Sequence, residues 1–347
     1  SVIHNVQYPT SGGDIAWLAD GSGFYYTHYP EAGEEHQDEV GSWQQLRFHG
    51  KKGPDKQILA AEIGKSEQIT SEVDAKGNVL VSVQHGDSGP IRHYVSAGGK
   101  GPYTLIADAK DQVSLAKLGT QNDVWLVSHK DAPMGRVLHL PIGQPLAKAT
   151  VTVPASDEAI ETDFYSSDGL VEVNGAIYVQ YVAGGPEKIR GFSRAGKALP
   201  ALPLPDVASV VVPRAWKGGL ITAASTYTQP QTYYWVSAKG AAETLPISAT
   251  ATIDMSPYEV VRETATSQDG TKIPYTLVQK KGAPRDGTTP CLVNGYGGFD
   301  VAMSPYFLEG RTPLLSRNVR FVIANLRGGA DFGEPWHQGG MLTRKQN

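Results

Sequence analysis

Cysteine is nearly missing from this 347-residue chain, which holds one, Cys291. That excludes an internal disulfide and any zinc site built on cysteine pairs. Cys291 falls in the apolar run Pro290-Cys291-Leu292-Val293, which reads as a buried strand, so it is expected as a small buried hydrophobe rather than a reactive thiol. No run of 18 apolar residues occurs, so no segment is long enough to cross a bilayer as a helix. Neither sign of charge dominates: 31 Lys and Arg stand against 35 Asp and Glu, a net charge of −4. A surface without basic excess suits neither nucleic acid nor an anionic membrane, and neither is expected as a partner. There is no Gly-rich phosphate loop ending in Lys-Ser or Lys-Thr. No cofactor and no metal is expected. No Gly-x-Ser-x-Gly nucleophile elbow occurs. No leader pattern is visible at Ser1, and the compartment stays unassigned, cytoplasmic and periplasmic both being open.

What is present is a globular composition, 40% hydrophobic and 19% charged, over a length that suits two domains. Residues 1–250 read as all-β. Strand-like runs follow turn residues at Gly23–Thr27, Gly77–Ser82, Asn122–Val127, Asn174–Val179 and Lys217–Ile221. Their spacing of roughly 40–55 residues is the period of a four-stranded propeller blade. Five such units are visible, too long a repeat for one β-sandwich. The pattern changes after a junction at 250–258. Runs at Glu259–Thr264 and Lys272–Val278 flank Asp269-Gly270, a hairpin signal in which both turn residues tolerate φ > 0. The apolar run at 290–293, a short helix near Thr312–Arg317 and the apolar strand Val319–Ala324 then suit a parallel sheet. Residues 251–347 thus read as the first part of an α/β-hydrolase domain, and residues 1–250 as an incomplete propeller.

The chemistry concentrates at Gly295-Tyr296-Gly297-Gly298-Phe299. A Gly-rich turn leaving a strand lets backbone approach a substrate, because glycine has no Cβ to block it. In α/β-hydrolases the loop after the third strand supplies part of an oxyanion hole. A phenol is a rigid O–H donor suited to a developing oxyanion. Phe299 can wall a pocket for a flat apolar side chain. Asn294 and Gly295 shape the turn. Arg327, in the loop after the next strand, could meet a carboxylate or, more simply, brace its loop. His337 precedes any nucleophile, the wrong chain order for the base. Two other patterns are set aside. Gly86-Asp87-Ser88-Gly89-Pro90 reads as a β-turn. Asp14, Asp20 and Asp38 with His28 and His36 match no metal-ligand spacing, and Glu31–Glu39 reads as a solvated loop.

Three segments, Tyr296 to Phe299, Ala324-Asn325-Leu326-Arg327-Gly328-Gly329 and Phe332-Gly333-Glu334-Pro335-Trp336-His337, followed by Lys345-Gln346-Asn347, resemble the prolyl oligopeptidase family of serine peptidases in order and spacing. The resemblance implies a seven-bladed propeller that covers the site and filters peptides by size. It implies cleavage of short peptides after proline through an acyl-enzyme, with Tyr296 in the oxyanion hole and Phe299 in the proline pocket. It also implies that this chain is a fragment. A helical front and the first blades would be missing, and serine, histidine and aspartate would lie beyond Asn347. The expected partners are short proline-containing peptides and the remainder of the same protein, present as a second chain. Alone, the chain is expected to be inactive. Two other readings stay open: a non-catalytic propeller that binds a peptide or protein, and an oligopeptidase of the same superfamily that prefers basic residues.

Overall fold

The computed structural model describes residues 13–59, 63–86, 89–162, 164 and 169–346. Asp87 and Ser88 of the expected β-turn lie outside the described residues. The described residues form two compact units that divide between Pro154 and Ala155, with Phe164 belonging to the first.

The first unit holds three antiparallel four-stranded sheets. They are β1–β4 (Ile15–Trp17, Gly23–His28, Gln45–Gly50, Lys56–Ile58), β5–β8 (Glu67–Val73, Val79–His85, Ile91–Ser96, Thr104–Ala107) and β9–β12 (Val113–Leu118, Asp123–Ser128, Arg136–Pro141, Thr150–Val153). Each is a propeller blade whose strands follow one another in space as in sequence. Strand β6 shows why these blades form. Its side chains alternate between faces: Val79, Val81 and Val83 pack with Tyr25 and Leu46 of the first blade. Leu80, between them, packs with Val113 and Leu126 of the third. An inner strand with a blade on either side is therefore apolar at successive positions, not only at alternate ones.

One polar residue sits inside this stack. His93 of β7 is 1% exposed. Its Nε2–H donates to the Val113 carbonyl at 3.1 Å, and its Nδ1 accepts from the Ser82 hydroxyl at 2.8 Å. This is the neutral ring, and burial pushes its pKa down to about 4. Below pH 6.5 the unfolded chain binds a proton that the folded chain refuses until about pH 4, so stability falls as pH falls through that window. The shift corresponds to roughly 3 kcal/mol lost at saturation. Urea titrations at pH 7 and pH 4.5 should show this loss in the wild type, and a smaller one in His93→Gln.

The second unit holds the fourth and fifth blades and then a mixed sheet. In the fourth blade, β13 (Ala159–Ile160), β14 (Leu170–Val173) and β16 (Glu187–Ser193) all pair with β15 (Ala176–Val182). The fifth is β17–β20 (Ser209–Trp216, Gly219–Ser225, Thr232–Val236, Ala242–Thr244). Two-residue loops join β14 to β15 and β17 to β18. Both residues of Asn174-Gly175 and of Lys217-Gly218 have positive φ, the type I′ geometry that matches strand twist. All five turn-led runs read from the sequence become strands paired on both edges.

The last sheet has the order β21-β22-β24-β23, from β21 (Tyr258–Thr266), β22 (Lys272–Lys280), β23 (Cys291–Tyr296) and β24 (Arg320–Asn325). The first two form the expected hairpin, but only Gly270 of Asp269-Gly270 is left-handed, at φ 88°. Its N–H donates to the Ser267 carbonyl at 2.9 Å, and the Asp269 carboxylate accepts from the Thr271 N–H at 3.0 Å. β23 and β24 are parallel. Between them lies helix α1 (Thr312–Leu315), whose Leu315 packs with Val278, Phe321 and Ile323 in the core of this sheet.

One expectation is corrected. β23 is exposed at every position, Cys291 included. It is the terminal strand of the sheet, paired on one edge only. An apolar run marks a strand suited to burial, and nothing in this chain covers it among the described residues.

Candidate active site

Because β23 and β24 are parallel, their carboxyl ends stand side by side, with Tyr296 opposite Asn325. The loops leaving both ends start from the same rim, the place where open α/β sheets build sites. Tyr296 is 42% exposed. Its ring lies over Gly298, where an added Cβ would come within 3.5 Å of the phenol oxygen. No hydrogen bond to that hydroxyl is formed among the described residues. Phe299 follows at 64% exposure, so it is not a core side chain. Phe299 and Asp300 both take left-handed backbone, at φ 52° and 58°.

The two loops touch backbone to backbone, and glycines allow it. A Cβ on Gly297 would meet the Arg327 carbonyl oxygen at 2.5 Å. One on Gly328, whose φ is 102°, would overlap the Gly297 carbonyl. One on Gly340 would overlap the Arg327 carbonyl and the Gly328 nitrogen. The Lys345 ammonium ties the pair together by donating to the carbonyls of Gly297 and Arg327.

Around this junction the polar side chains act as braces. The Arg327 guanidinium grips both Asp269 carboxylate oxygens, the Thr271 hydroxyl at 3.1 Å and the Ser267 hydroxyl at 3.1 Å. Those bonds hold the Asp269 carboxyl down to about 2. They fasten the Arg327 loop to the hairpin tip and occupy both terminal nitrogens of the guanidinium. His337 lies in helix α2 (Glu334–Gln338) and is 5% exposed. Its Nδ1–H donates to the Gly328 carbonyl at 2.8 Å. Trp336 donates from its indole to the Leu326 carbonyl at 3.2 Å and meets Phe332 edge to face at 4.8 Å.

Asp14, Asp20 and His28 go to separate partners: Ser71, Ser22 and Glu34. His36 stacks on Trp43 at 3.9 Å.

Sequence reasoning passed over three residues. Lys345 was visible only as part of a resembling segment. Asn325, 1% exposed, donates from its amide to the Met303 carbonyl at 2.9 Å and to Asp331 at 2.7 Å. Asp331 is fully buried. Burial raises its carboxyl above the usual range, opposed by hydrogen bonds from Asn325 and Met303 and by the Arg262 charge. The signal available was the density of glycine around them, Gly328-Gly329 and Gly339-Gly340, which marks backbone packed too closely for side chains.

Residues 4–246 match the family model described as "Prolyl oligopeptidase, N-terminal beta-propeller domain". A prolyl endopeptidase of Elizabethkingia meningoseptica is 26% identical over 353 residues, covering 96% of this chain and 47% of that relative. A solved structure from an analysis of two prolyl endopeptidases superimposes with a TM-score of 0.83 at 23% identity, covering 96% of this chain and 49% of that one. Prolyl oligopeptidase B of Galerina marginata, bound to a 25mer macrocyclization substrate, does so at 0.81 and 20% identity, covering 99% and 48%. The chain thus spans about half the length of the curated relatives it matches.

Proposed function

Since the chain belongs to the prolyl oligopeptidase family, we propose that it is part of a serine peptidase that cleaves short peptides on the carboxyl side of proline. Five propeller blades and the first strands of a hydrolase sheet are its share of that enzyme. Tyr296 donates its phenol proton in a hydrogen bond to the carbonyl oxygen as negative charge gathers there in the tetrahedral intermediate. Phe299 walls the pocket for the proline ring. Arg327 holds its loop in place and does not meet substrate. The attacking serine, with its histidine and acid, is assigned to residues outside these 347, since no nucleophile elbow is among them. His337 is not the base. It precedes any nucleophile, the wrong chain order for that role, and it is buried under the Gly328 loop, where its Nδ1–H serves as a brace.

The supporting observation is Tyr296 itself. The residue is 42% exposed and its hydroxyl is unengaged among the described residues, at the carboxyl end of a parallel strand, beside a loop junction with no slack. An oxyanion donor has to be free in the resting state and fixed in position.

The test is a proline-containing peptide p-nitroanilide. The 347-residue chain alone is expected to release no nitroaniline. A polypeptide that adds the nucleophile segment is expected to show an acyl-enzyme burst. Release by the chain alone, blocked by a serine-reactive phosphonate, would mean that the chemistry resides elsewhere in it. Tight peptide binding with no turnover from the longer polypeptide would favour a binding propeller.

A further inference from the structure

Between Tyr296 and Met303 the backbone passes through two successive non-glycine residues in the left-handed region, Phe299 and Asp300. Such conformations cost free energy and persist only where their surroundings over-determine them. At the near end of the segment the restraint is plain. Lys345 holds the Gly297 carbonyl, and the Asp300 N–H reaches the Gly328 carbonyl at 3.3 Å.

At the far end, both backbone groups of Met303 are gripped. Its N–H donates to Asp331 Oδ1 at 3.1 Å. Its carbonyl accepts from Asn325 Nδ2 at 2.9 Å, and that same amide donates to Asp331 Oδ1 at 2.7 Å. Asn325 is the residue paired with Tyr296 across the parallel strands. Asp331 is anchored in turn through its backbone. Its carbonyl accepts from the Gly184 N–H at 2.7 Å, in the loop joining β15 and β16. Arg262 donates to the Gly184 carbonyl at 2.8 Å. There is no spare room here, since a Cβ on Gly185 would meet Asn325 Nδ2 at 2.5 Å and the Met303 carbonyl at 2.9 Å.

We propose that Asp331 is a positioning residue for the segment 297–303: by fixing Met303 it holds Phe299 and the turn after Tyr296 in their observed conformation. The functional meaning rests on the peptidase reading above; the physical content does not. The competing account is that Asp331 merely cements the sheet. In that case its loss would loosen β22 and β24 as much as the loop.

Hydrogen exchange of the 347-residue chain separates the two without any catalytic assay. Removing a charged acceptor from the half-buried Met303 N–H is expected to speed local exchange by about 10- to 100-fold. Asp331→Ala should therefore raise exchange across 298–303 by about that factor and leave β22 and β24 unchanged. Asp331→Asn keeps one carbonyl acceptor in the same space and should stay within about threefold of wild type. Wild-type exchange of 298–303 in Asp331→Ala, or an equal rise in β22 and β24, overturns the proposal. If Asp331→Ala does not fold, Asn325→Ala removes the other grip on Met303 and should give the same local signature; its absence is equally fatal. In a polypeptide that supplies the serine, Asp331→Ala should lower kcat, with activity restored in Asp331→Asn. No activity in that wild-type polypeptide would count against the peptidase reading alone.

Discussion

Replacing Tyr296 with phenylalanine, in a polypeptide that supplies the serine, is expected to lower kcat by about 100- to 1000-fold, or roughly 3–4 kcal/mol of barrier. The argument is differential. A ground-state carbonyl carries a partial charge, whereas the tetrahedral intermediate carries a full one, so a donor aimed at the oxygen gains most at the top of the barrier. KM should therefore change little. The substitution removes one oxygen from a side chain that is 42% exposed. That oxygen has no hydrogen bond to break among the described residues, so thermal unfolding should match wild type. A loss confined to KM, or no loss at all, would remove Tyr296 from the reaction. Loss of activity together with a lowered melting temperature would point to packing instead.

The second large effect is on stability. Gly328→Ala places a Cβ where φ is 102° and where the Gly297 carbonyl oxygen already stands. The neighbour is backbone, not a side chain that can turn away. It is also held by Lys345. Left-handed strain costs about 1–3 kcal/mol, and forced overpacking costs a similar amount. The expected destabilisation is therefore about 3 kcal/mol or more. Urea unfolding should show a lower midpoint than wild type. Gly310→Ala is the control, since an added Cβ there meets nothing within 4 Å.

Much of the fold was legible because local chemistry and long-range packing agree. Asn174-Gly175 and Lys217-Gly218 announce tight hairpins on their own, and the apolar runs after them become inner strands. The repeat length then identifies blades without any knowledge of their neighbours. Legibility stopped where a residue's meaning depends on a distant partner. Leu292 and Val293 read as buried because a strand of that composition suits two covered faces. Whether anything covers them is not a local property, and among the described residues both are exposed. Asp269 looked like a turn former and is one, but its carboxylate also receives Arg327, 58 residues along the chain. Nothing local sets Asp331 apart from an ordinary loop residue near glycines. Its partner Met303 lies 28 residues earlier, and neither position has a periodicity to betray the pairing. The place of Tyr296, at a strand end before a Gly-rich turn, was legible for the opposite reason, since that context is itself local.

The open face of β23 also provides a practical tool. Its first residue is the chain's only thiol, and it is exposed. A maleimide dye would attach at a single sulfur without any mutagenesis. It would sit five residues before Tyr296 along the strand, about 16 Å away at the usual rise. Any strand or peptide that settles along β23 would then be reported as a change in that dye's emission.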